Sequence, residues 1–62
     1  MNKAEQREAT KVIAYGQELG ADYMARALSA MYRAARTAKS QNEILALALA
    51  YRVVSSDEFI IS

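Results

Sequence analysis

Apolar and small residues recur along this chain at helical spacings of three, four and seven: Ala9, Val12, Ile13, Gly16, Leu19, Gly20, Tyr23, Met24, Ala27, Met31, Ala34 and Ala38. At about 100° per residue they stay on one side of a helix. Nearly two thirds of the protein therefore presents one surface that requires a partner. The pattern predicts a first helix from about Lys3 to Ala38, roughly 54 Å long. Gly16 and Gly20 are the points of weakness, since glycine costs about 1 kcal/mol against alanine inside a helix. Because the stripe keeps its phase through both glycines, the favoured reading is one continuous helix, with the glycines admitting a close helical neighbour. In the alternative reading the helix ends near Gly20, Asp22 caps a new one, and the chain forms three short helices.

Proline is absent and glycine occurs twice, a composition suited to an all-α fold. The sequence Ser40-Gln41-Asn42-Glu43 has the form of a capping box and predicts that a second helix starts at Ser40. That helix, running through Ile44, Leu45, Leu47, Leu49, Tyr51, Val53 and Val54, is apolar on nearly every side and belongs inside something. Beyond it, Ser55-Ser56-Asp57-Glu58 reads as a turn, and Phe59-Ile60-Ile61 as an apolar end that should dock. The expected fold is a single helical domain over residues 1–62, a hairpin of one long and one shorter helix.

A chain of 62 residues buries only about 60% of its unfolded surface and needs support. With no cysteine and no histidine, disulfides and the usual zinc sites are excluded, and self-association is the remaining support. A second helix of roughly 21 Å covers less than half of the first. The sequence thus predicts a symmetric homodimer, with Val12, Ile13, Gly16, Leu19, Gly20, Tyr23, Met24, Leu47 and Tyr51 at its interface.

Charge is segregated. Residues 23–42 contain Arg26, Arg33, Arg36 and Lys39 and no carboxylate. Arg26, Ser29, Arg33 and Arg36 fall opposite the stripe, with Tyr32 at its edge. Part of this is what any solvated helix face carries. Its functional reading is that Arg26, Tyr32, Arg33, Arg36 and Lys39 bind an acidic partner protein. A rival reading comes from Gly16-Gln17-Glu18-Leu19-Gly20-Ala21-Asp22 followed by Arg26-Ala27-Leu28, which loosely resembles a helix-turn-helix. That resemblance implies a DNA-binding transcriptional regulator with Tyr23–Lys39 as recognition helix. It departs from the pattern at Arg26, where such units bury an apolar residue, and the low net charge of +1 suits a phosphate binder poorly.

Catalysis finds little footing. Glu5 with Glu8 and Glu18 with Asp22 are spaced to share a helix face, yet neither pair comes with an imidazole, and Lys11 and Arg26 stand at the spacing of ordinary ion pairs. Ser29, Ser40 and Ser55 have no visible base. No catalytic residue, cofactor or metal is expected. The longest apolar run, Ile44–Tyr51, is eight residues against the roughly 20 of a membrane span. The polar, charged opening Met1–Lys11 suggests no secretory signal. The expectation is a cytoplasmic, non-catalytic regulatory protein that occludes a partner. Its size and composition are those of inhibitors or adaptors encoded by mobile elements.

Overall fold

A single helix over Lys3–Ala38 would be roughly 54 Å long, but the structure, a computed structural model that describes residues 1–54 and Phe59, measures only 26 × 23 × 17 Å. The chain folds back twice, giving α1 (Lys3–Leu19), α2 (Ala21–Ala34) and α3 (Ala38–Ala50). No strand occurs among the described residues. The fold is all-α with three helices, as in the alternative reading; the long helix of the expected hairpin does not form.

The first break falls at Gly20, whose φ of 107° and ψ of 171° lie outside helical space. Its amide closes α1 by donating to the Gly16 carbonyl at 2.9 Å, and its carbonyl opens α2 by accepting from the Met24 amide at 3.2 Å. One residue thus ends one helix and begins the next. Asp22 is not the cap; it stands in the first turn of α2, where a carboxylate suits the helix dipole. The second break is at Ala35, which turns extended at φ −63° and ψ 135°. The Tyr32 carbonyl at this open end accepts from Gln41 Nε2 at 3.2 Å, so α3 helps to cap α2.

The predicted capping box at Ser40 is corrected. Thr37 is the N-cap of α3, its Oγ1 accepting from the Ser40 amide at 3.1 Å. Ser40 lies one turn inside and is buried. Its hydroxyl donates to Glu5 Oε1 at 3.1 Å. The capping box that forms is at α1, where Asn2 Oδ1 accepts from the Glu5 amide at 2.8 Å and Glu5 Oε1 accepts from the Asn2 amide at 3.0 Å. Glu5 therefore caps its own helix and clasps the start of α3. The Met1 amino group, paired with the Glu43 carboxylate, makes a second tie between the same ends.

Helix α2 packs against both α1 and α3. The core comprises Val12 of α1, Met24, Ala25 and Leu28 of α2, Ile44 and Ala48 of α3, and Val53 and Phe59 beyond them. Leu28 and Ile44 are fully buried, a contribution of about 1.5–3 kcal/mol each. Phe59, part of the apolar end expected to dock, does so edge-on to Tyr32 with ring centroids 6.4 Å apart. The rest of that expectation, Ile60 and Ile61, and the turn Ser55–Glu58 lie outside the described residues.

Helix α3 ends in a Schellman turn. The Val53 amide donates to the Ala48 carbonyl at 2.9 Å and the Arg52 amide to the Leu49 carbonyl at 3.1 Å, while Val53 is tucked into the core. This geometry requires a left-handed residue, and Arg52 supplies it at φ 60°. Arg52→Gly should raise stability by about 0.5–1 kcal/mol, the left-handed strain removed less glycine's greater chain entropy. Urea denaturation followed by circular dichroism measures it. A decrease would mean that the arginine side chain itself holds the turn.

Candidate partner-binding surfaces

The basic residues divide into two groups. Arg26 and Arg33 are exposed on α2, and each already takes part in an interaction of its own. Arg36 and Lys39 are exposed at the α2–α3 connection, where with Asn2, Glu5 and Thr37 they line an open groove of about 570 Å³. Tyr32 is half-buried against Phe59. Ser29, placed with the arginines by helical spacing, is buried instead, its hydroxyl donating to the Arg26 carbonyl at 3.0 Å. Nearby, the hydrogen bond from the Met1 amino group holds the Glu43 carboxyl below its ordinary value, against the opposing effect of burial; the charges of that amino group and Lys39 add to the lowering.

The residues expected at a dimer interface are scattered by the breaks. Val12, Gly16 and Met24 are buried inside the chain. A Cβ at Gly16 would lie 2.9 Å from Met24 Cβ and 2.6 Å from its Cε. The close helical neighbour expected at this glycine is therefore α2 of the same chain. Gly20 is the exposed joint, Tyr23 is half-buried and Leu19 is 64% exposed. Ile13, Leu47 and Tyr51 come together, lining an open groove of about 670 Å³ between α1 and α3. Gln6, Thr10, Ala14 and Gln17 share that groove and were missed in the sequence, although as uncharged residues one helical turn apart they leave a visible mark.

Glu5 is occupied by the Asn2 amide and Ser40 hydroxyl, and Gly20 separates Glu18 and Asp22 onto different helices. Among the described residues no three acidic, histidine or cysteine side chains could hold a metal. No helix among them is long and apolar enough to cross a membrane. For a helix-turn-helix, the joint is a single residue and the position that should be buried is the exposed Arg26. No protein family, curated protein or solved structure matches the chain.

Proposed function

We propose that this protein is a cytoplasmic, non-catalytic interaction module, an inhibitor or adaptor of the kind mobile elements encode, that self-associates and covers a site on an acidic partner protein. The observation that supports this best is the placing of Arg36 and Lys39, exposed beside Thr37 at the α2–α3 connection, within a stretch from Tyr23 to Asn42 that has no carboxylate. Arginine is over-represented among the few residues that dominate protein interfaces. The mechanism is occlusion, with a rigid corner of two helices set against the partner. Arg26 and Arg33, both exposed and seven residues apart, share a side of α2, with Tyr32 half-buried at its edge.

The test is capture of partners from the native host with the tagged full chain, identified by mass spectrometry. The double variant Arg36→Glu, Lys39→Glu should lower recovery of a specific partner about tenfold or more, as truncation of an interface hot spot does. Lys11→Glu, distant in sequence from the corner, should leave recovery unchanged. DNA binding is examined with duplex at about 50 and 200 mM salt, a range over which phosphate-dominated affinity falls steeply. Saturable duplex binding that the double variant abolishes would replace a protein partner with DNA.

A further inference from the structure

We propose that the groove between α1 and α3 is the surface on which a second copy of this chain docks. The proposal rests on the reading of the protein as self-associating and assigns the surface for it. Helix α1 carries six charged residues, Lys3, Glu5, Arg7, Glu8, Lys11 and Glu18, and none lines the groove. Neither does any charged side chain of α3. The walls are Ile13 and Ala14 on one side, Leu47 and Tyr51 on the other, with Gln17 at the edge.

Charge decides the occupant. In a twofold interface the same patch serves both subunits, so a patch with a net charge meets its own sign, and like charges across an interface cost affinity. The corner at Arg36 and Lys39, whose charge Glu5 offsets only in part, is thereby disfavoured for pairing with itself. The groove is not: Met1 also lines it, but its amino group is already paired with the Glu43 carboxylate. Its polar edge is self-complementary as well, because the Gln17 amide both donates and accepts and can pair with its own equivalent. A charged partner would find no charged side chain in these walls to recognise.

Size sets a further condition. A stable interface takes about 800 Å² from each partner, roughly a fifth of the 4275 Å² this chain exposes. Both walls must therefore take part, with Tyr51 and Leu47 of one copy entering the groove of the other. Tyrosine suits this role because its ring supplies contact area while its hydroxyl stays wet.

The experiment is sedimentation equilibrium of the full chain from about 1 to 100 µM, the range over which a micromolar complex dissociates. Ala14→Arg is the probe. Ala14 is exposed and arginine is a good helix former, so the fold survives while both copies gain a like charge in the groove. The wild type should approach twice its 6.9 kDa mass, and Ala14→Arg should weaken the dimer about tenfold or more with helical circular dichroism unchanged. Leu49→Lys, at a residue 57% exposed and outside the groove, should leave the dimer within about threefold, as expected for a position outside the contact. A dimer that ignores Ala14→Arg, or that Leu49→Lys weakens equally, overturns the groove while self-association stands. A monomer throughout overturns both.

Discussion

Gly16→Leu is expected to abolish the cooperative unfolding transition, because α1 and α2 meet at this residue with no room for a side chain. The Cβ it introduces would lie 2.9 Å from Met24 Cβ and 3.1 Å from Met24 Cγ. The flexible end of the methionine can swing away, but its Cβ is fixed to the α2 backbone, so the helices themselves must part. Overpacking of this kind costs about 1–3 kcal/mol for small additions, offset by about 1 kcal/mol of helix propensity regained on replacing glycine. Gly16→Ala should therefore lose up to about 2 kcal/mol. The three further carbons of leucine enlarge the loss toward the whole stability of a chain this short, about 3–9 kcal/mol. Urea denaturation followed by circular dichroism reads both variants. If both variants are instead more stable than the wild type, as helix propensity alone would make them, α1 and α2 do not meet here.

At Gly20 the expected effect changes sign with the handedness of the replacement. A Cβ built there meets nothing within 4 Å, yet the backbone sits at φ 107° and ψ 171°, a region open almost only to glycine. Holding an L residue in it costs about 1–3 kcal/mol. Gly20→Val should thus destabilise by about 2–3 kcal/mol, near the upper end because valine is β-branched. The mirror of this conformation is ordinary extended backbone. A synthetic chain with D-alanine at position 20 should therefore gain about 0.4–1 kcal/mol by restricting the unfolded state. Thermal unfolding of the L- and D-alanine chains compares the two directly. Equal effects from both would place the joint elsewhere.

The helical class was legible because composition and spacing act locally, and the stripe found Ala9, Val12, Gly16 and Met24, all buried. The break at Gly20 was hidden by the same stripe. A one-residue joint sends both helices to one core, so apolar spacing survives the turn that it would normally betray. At Ala35 there was still less to read, since neither glycine nor proline marks the place and the extended residue is an alanine. Ser40-Gln41-Asn42-Glu43 misled for a different reason. Any serine three residues before a glutamate has the form of a cap, and only the position of Glu5 on another helix shows that this one is needed inside. The surfaces followed the breaks: Leu47 and Tyr51 were found, while Gln6, Thr10, Ala14 and Gln17 of α1 share a helix face in either reading and become their companions only because the chain folds back at Gly20 and Ala35.

The single-residue joint also governs how this chain can vary. Gly16 and Met24 are fixed against each other across a connection with no slack. An inserted or deleted residue between them would turn the methionine about 100° away from the glycine and carry α2, with everything it contacts on α3, out of register. Changes of length are thus excluded from the centre of the molecule, and α1 and α2 are free to diverge only by exchange of one side chain for another.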